Sequence, residues 1–164
     1  MSDFYTEQLI KKRKTGKDYM IQALLLLAVV ISCMVIFIFP LGIILPVGVA
    51  VLAIFLNRRL DVEYEYLYVN GDLDIDKIMH KAKRKRVCSV NIADMELLAP
   101  VDAGELRQFQ RAKVYDFTSC TGNDNVYALI IVGKGEQQKI LFEPNEQIVE
   151  GFFMMAPRKV VRKK

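Results

Sequence analysis

The chain has 164 residues, 52% of them hydrophobic and 26% charged, with 23 Lys/Arg against 19 Asp/Glu and a formal net charge of +4. This composition excludes a disordered polyelectrolyte, and from residue 57 onward 18 basic residues face 16 acidic ones, so the basic balance is not a nucleic-acid footprint. Cys33, Cys88 and Cys120 have no paired spacing, which argues against a disulfide framework or a zinc site; no metal and no cofactor is expected.

Residues 1–18, MSDFYTEQLIKKRKTGKD, read as a basic leader too polar to span a membrane and too short to be a domain. Two readings stand. Ser2, Thr6, Glu7 and Gln8 begin a surface helix with Tyr5 and Leu9 on one face, or the leader is disordered and serves only to set topology.

Residues 19–56 carry no ionised side chain, interrupted only by Gln22, Ser32 and a few Gly and Pro. One helix of that length would overshoot a hydrocarbon core of roughly 30 Å nearly twofold, so the stretch must turn back on itself. Phe39-Pro40-Leu41-Gly42 is the hinge, giving a transmembrane hairpin with spans 20–39 and 41–56. On the second span Gly42, Pro46, Ala50 and Ala53 share a face, read as close packing within the hairpin, with a homo-oligomer seam as the alternative. Lys11, Lys12, Arg13, Lys14 and Lys17 precede the hairpin, Arg58 and Arg59 follow it, and its turn has no charge; both termini are therefore expected in the cytoplasm of a multi-pass membrane protein. A rival reading takes Val30-Ile31-Ser32-Cys33 as a lipoprotein signal, against which stand the 23 apolar-tract residues that follow Cys33.

Beyond residue 60 the period becomes alternating. Val62, Tyr64, Tyr66 and Tyr68 share one face with Glu63 and Glu65 opposite, the pattern of a half-buried strand. Asn70-Gly71 supplies a two-residue hairpin turn. The return strand places Leu73 and Ile75 opposite Asp72, Asp74 and Asp76, but Lys77 and Lys83 stand where an EF-hand needs Gly and Glu. His80-Lys81-Ala82-Lys83-Arg84-Lys85-Arg86 is the strongest charge concentration. Close to a membrane, Lys81, Lys83, Arg84, Lys85 and Arg86 are candidate contacts for anionic lipid, at about 1 kcal/mol per basic residue near the surface. The competing reading pairs the same residues with Asp72, Asp74 and Asp76 across the hairpin.

Asp102 and Glu105 have capping-box spacing, placing a short helix at 103–110 that buries Leu106 and Phe109. Strands follow at 113–118, 126–132 and 138–142. The last element is an amphipathic helix with Pro144 in its first turn and a stripe of Ile148, Val149, Phe152, Phe153 and Met155, stopped by Pro157. The basic tail 157–164 is expected to fray.

The leader FYTEQLIKKRKTGKD, the hairpin, YEYLYVNGDLDIDKI with its KRKR run, and the FEPNEQIVEGFF helix together resemble small bacterial membrane proteins of Gram-positive type that join a two-helix hairpin to a bacterial PH-like domain. The resemblance implies a mainly β, α+β barrel of about seven strands over residues 57–156 with a C-terminal capping helix. With an apolar hairpin as anchor and no catalytic motif, the chain is expected to be a membrane-tethered interaction or scaffold module on the cytoplasmic face, with the lipid bilayer, a protein partner, anionic lipid or a second copy as partners. No G-x-S-x-G, P-loop or HExxH is present, Gly133-Lys134-Gly135 lacks P-loop spacing, and His80 stands without a partner, so no enzyme is expected; the alternative is a lipid- or envelope-related enzyme subunit without recognisable catalytic motifs.

Overall fold

The structure, a computed structural model, describes residues 4–38, 40–122, 124–133 and 136–163. Phe39, at the hinge, lies outside these, as do Ser2, Lys134 and Gly135.

The first element corrects the leader. Tyr5–Lys11 is a strand, β1, neither a surface helix nor a loose arm. It pairs antiparallel with β2 (Val62–Val69) in continuous register from Tyr5↔Val69 to Lys11↔Glu63. Between these two strands lie α1 (Gly16–Ile38), a 3₁₀ turn at Pro40–Ile43, and α2 (Ile44–Arg59). The helix pair is therefore inserted into one rung of a sheet, and a domain beginning at residue 57 would lack its first strand.

Alternation failed to reveal β1 because its pattern is inverted. Thr6 is buried and Gln8 partly so, while Tyr5 and Leu9 are exposed. The inward polar groups are satisfied one by one: Thr6 Oγ1 donates to Gln147 Oε1 at 3.0 Å, Gln8 Nε2 donates to the Glu143 carbonyl at 2.9 Å, and Asn145 N–H donates to Gln8 Oε1 at 2.7 Å.

Thr15 and Asp18 close the start of α1, the Asp18 carboxylate accepting from the Thr15 N–H and hydroxyl at 2.8 and 2.7 Å. Gln22 and Asn57 meet across the two helices at 2.5 Å, and Ser32 returns its hydroxyl to the Val29 carbonyl, so these polar groups in an apolar setting are paired. The second helix starts at Ile44 rather than 41, and Pro46 fits its first turn, where no backbone donor is needed. Pro46 is buried and Ala50 and Ala53 are half-buried, whereas Gly48, off that face, has open space around it. Among the described residues one helix, over Gly16–Val35, is by length and composition sufficient to cross a membrane.

Two four-stranded sheets complete the fold. The first runs β1-β2-β3-β4, with β3 (Asp72–Met79) and β4 (Lys83–Asn91). The second runs β5-β7-β8-β6, with β5 (Met95–Pro100), β6 (Lys113–Asp116), β7 (Tyr127–Gly133) and β8 (Glu136–Phe142); β6 is parallel to β8. The count is eight described strands rather than about seven, the additional one being β1. Asn70 and Gly71 turn between β2 and β3 with φ of 47° and 97°, the left-handed pair that such a turn requires.

Tyrosines of β2 carry the core. Tyr66 and Tyr68 are fully buried, stacked edge-on or tilted against Phe142 and Phe152 at 5.5 and 4.7 Å. The Tyr66 hydroxyl donates to the Phe117 carbonyl at 2.7 Å, and burial pushes the Tyr68 phenol up to about 12. Phe4, just before β1, packs edge-on against Tyr68 at 5.8 Å. The opposite face of β2 is not solvated as alternation implied: Glu63 and Glu65 are buried too.

The helix α3 (Glu146–Met155) covers this core with Ile148, Val149, Gly151 and Phe152. Asn145 is its N-cap, accepting from the Ile148 N–H at 2.9 Å, so Pro144 precedes the first turn instead of forming it. Met155 is 52% exposed and does not belong to the buried stripe. At 104–109 a 3₁₀ segment buries Leu106 and Phe109 as expected, but Ala103, not Asp102, occupies the cap position and makes no side-chain cap. The tail is pinned rather than frayed: Leu98 N–H donates to Lys159 and Val161 N–H to Leu98, both at 2.8 Å, and Val160 is buried.

Gly151 marks the closest approach of α3. A Cβ there would lie 2.5 Å from Tyr68 Cε1 and 2.8 Å from Phe4 Cε1. Gly151→Ala gains about 1 kcal/mol of helix propensity yet is expected to lower stability by about 1–3 kcal/mol, because the buried ring has nowhere to move. Phe152→Ala should cost about 3–5 kcal/mol and Met154→Ala, on the exposed side, less than about 0.5 kcal/mol. Thermal unfolding of the detergent-solubilised full chain, followed by near-ultraviolet circular dichroism, gives the order; a stabilised Gly151→Ala would contradict the packing.

Candidate functional site

The basic run forms the turn into β4 and that strand's first half. Three residues, His80, Lys81 and Ala82, connect Met79 to its partner Lys83, with His80 and Lys81 at φ of 51° and 54°. Two consecutive non-glycine residues in the left-handed region each cost on the order of 1 kcal/mol, held here by the Ala82 N–H to Met79 carbonyl bond and the His80 N–H to Asp61 carbonyl bond.

Alternation along β4 then divides the five expected contact residues. Arg84 and Arg86 point to the outer face of the first sheet, where β2 and β3 present carboxylates. Arg84 Nη2 donates to Glu65 Oε1 at 2.6 Å and lies 2.5 Å from Oε2, which takes no well-directed hydrogen bond. Arg86 reaches Asp76 at 3.1 Å and Asp74 at 2.8 Å. Asp74 also accepts from the Ser89 hydroxyl, and Asp72 from the Asn91 amide, so all three alternating aspartates engage β4. Glu65 shows what the pairing answers: burial, then the neighbouring Glu7 carboxyl, push its own carboxyl above the ordinary range, and Arg84 pulls it back.

Lys83 and Lys85 project the other way, on the face that register shares with Lys77 and Tyr64. Together with Lys81 they make no ion pair among the described residues. The structure therefore separates the five: two neutralise buried acids, three remain as free positive charge.

β4 is also an edge. Its register shifts between Ile75 and Asp76, leaving Val87 as a bulged, part-exposed residue. Among the described residues its backbone bonds only to β3. The outer edge of β1, seven residues long, is likewise without a backbone partner among the described residues, whereas the edges of the second sheet are covered or short. The C-terminal segment covers β5, the Gln8 contacts tie β1 to residues 143–145, and β6 has four residues. Alongside β4 runs a groove of about 270 Å³ whose far wall is Tyr115 and Phe117 and whose floor includes Ile131. Cys88 lines it, its thiol pushed up to about 11 by burial and by Asp74, which favours the protonated form at neutral pH. Sequence reading found the lysines but not this groove, because Tyr115 and Phe117 sit about 30 residues away and only the parallel β6–β8 pairing brings them alongside.

The ion-pair assignment has a pH signature. Because the folded state raises the Glu65 carboxyl, the native state holds that proton more tightly than the unfolded one, and stability falls as pH rises through the range. Arg84 opposes the fall. Arg84→Ala should thus cost about 1–3 kcal/mol at pH 7, discounted from a fully buried pair because the guanidinium is half exposed, and the cost should shrink on acidification toward pH 5. Lys85→Ala should stay within about 0.5 kcal/mol at either pH. Equal, pH-independent losses in urea unfolding would refute this division of the run.

Among known families, the model described as bacterial PH-like domain (DUF6106) matches residues 2–162, which takes in the helix pair as well as both sheets. No curated protein and no solved structure matches the chain.

Proposed function

The chain belongs to the bacterial PH-like domain family, and from that premise we propose that it is a membrane-tethered interaction module whose working surface is the β4 edge. The helix pair is the tether, inserted from the cytoplasmic side, with both termini on that side. PH-like domains are in general non-catalytic interaction modules, and the groove's one thiol is held protonated. The partner is an extended, acidic protein segment that adds to β4 as a further strand. Its backbone takes the free donors and acceptors of Lys83–Asn91, its apolar side chains enter the groove of Tyr115 and Phe117, and its carboxylates meet Lys81, Lys83 and Lys85.

The observation that carries this reading is the nine-residue outer edge of β4, without a backbone partner among the described residues and lying beside the groove of Tyr115 and Phe117. Long edges invite pairing and are normally blunted. Lysines blunt β4 against a second copy of itself, since two KRKR strands repel, but they favour an acidic strand.

Membrane support comes from the exposed apolar surface of the helices: Leu24, Leu26, Met34 and Ile44 are each more than 60% exposed. In a background that lacks Cys88 and Cys120 but keeps Cys33, Leu41→Cys should be labelled from outside intact cells and Ser89→Cys should not; labelling at Ser89→Cys alone would favour cleavage at Cys33. For the edge, a photo-crosslinking residue at Val87 should yield a protein adduct in native membranes that persists at 1 M salt and disappears when Lys83→Glu/Lys85→Glu is added. No adduct, or one indifferent to charge reversal, would refute strand addition.

A further inference from the structure

We infer that the root of the helix pair seats one anionic phospholipid of the bilayer, its phosphate in a basic cavity and an acyl chain in the groove between α1 and α2. The inference rests on the membrane placement proposed above, and it uses neither the β4 edge nor the lysines assigned to it.

A cavity of about 650 Å³ opens where the chain leaves β1 and returns from α2. Lys11, Lys12, Arg13 and Lys14 line it from the first side, Arg58 from the second, and His80 from the β3–β4 turn. Asp61 is the carboxylate among them, with its Oδ1 3.9 Å from Lys11 Nζ, so cations outnumber anions five to one before His80 is considered. These residues are not loose. Lys12 N–H donates to the Val62 carbonyl at 3.0 Å, Arg13 N–H to Ser119 at 2.7 Å, and His80 N–H to Asp61 at 2.9 Å. Four consecutive basic residues, three of them held by the backbone, around a concave space form a site for phosphate rather than a solvated tail.

Below it lies a second volume, of about 490 Å³, between the helices. Its walls are Ala23, Leu26 and Val29 of α1 and Ala53 and Ile54 of α2, with Tyr19 at the upper rim, where an aromatic ring suits a membrane interface. Asn57 lines both volumes, and its carboxamide accepts from Gln22. The order from the cytoplasm inward is thus cations, a polar amide pair, then an apolar slot. That is the order phosphate, glycerol ester, acyl chain. A soluble anion would leave the slot unfilled, and a neutral lipid would leave the cations uncompensated; an anionic phospholipid fits both halves.

The test uses the full chain reconstituted in vesicles of equal phosphatidylglycerol and phosphatidylcholine, then released for native mass spectrometry. One phosphatidylglycerol should be retained, in at least tenfold preference to phosphatidylcholine. Lys12→Gln/Arg13→Gln/Lys14→Gln should abolish the preference. Ala53→Leu, which narrows the slot without touching a charge, should reduce retention with the near-ultraviolet spectrum unchanged, and excess glycerol 3-phosphate should not displace the lipid. Retention indifferent to the triple variant overturns the seat, as does an unaffected Ala53→Leu together with displacement by glycerol 3-phosphate, which would mark a plain anion site. Alkaline carbonate extraction separates the levels of failure: protein stripped from the vesicles refutes the membrane placement itself, whereas integrated protein without lipid preference refutes only the seat.

Discussion

The pairing of β1 with β2 is the constraint on which the rest depends. Seven residues ahead of the helices hydrogen-bond to seven behind them, and the connection runs through 50 residues, 12–61. Closing a flexible loop of that length would cost roughly 3–4 kcal/mol of chain entropy. Two antiparallel helices joined by one short turn return the chain to its starting point as a folded unit, and the Gln22–Asn57 contact near their base sets their separation. The sheet closes because the helices bring its first two strands together. In turn the sheet fixes the helix roots through Lys12 to Val62 and Arg13 to Ser119. Neither part is complete alone, which is the physical reason that one family model runs across both.

The outer face of the first sheet raises the opposite problem. Glu65 and Asp76 are buried side by side on neighbouring strands, a placement that would be unstable without positive charge. β4 supplies it with Arg84 and Arg86, and arginine suits the task because its guanidinium remains charged and spans two carboxylates at once, as Arg86 does with Asp74 and Asp76. At Lys83 and Lys85, on the other face, the same strand carries the more flexible cation. The alternation of Lys and Arg in KRKR thus records two environments rather than one patch.

Much of this was legible in the sequence. The turn at Asn70-Gly71, the inward row Val62, Tyr64, Tyr66 and Tyr68, and the buried Ile148, Val149 and Phe152 follow from period and turn chemistry. What escaped had specific causes. β1 hides its strand character because two of its three inward residues are Thr6 and Gln8, whose partners lie more than 130 residues away, with Ile10 the one apolar residue on that face. Glu65 looked solvent-facing because alternation records which face a residue takes, not what covers that face. The tail looked frayed because nothing in RKVVRKK announces that Val160 pairs with Leu98. In each case the missing information is a long-range partner, which local periodicity does not contain.

The register of the first sheet also brings the two proposed surfaces to one end. Lys11 lies opposite Glu63, Val62 opposite Met79, and Met79 opposite Lys83, so the β3–β4 turn stands beside the helix roots. His80 lines the basic cavity while the next residue, Lys81, begins the free lysines of the edge. An acidic strand docked on β4 would therefore bring its carboxylates to the end of the sheet from which the helices leave. On the proposed membrane placement, an anionic bilayer would repel that strand and attract the same lysines. Phosphate held at Lys12–Lys14 also neutralises the nearest positive charge, weakening the field that would draw an acidic partner in. If both proposed ligands bind, lipid and partner would oppose each other through electrostatics alone, with a strength set by how many of the free lysines face the bilayer rather than the groove.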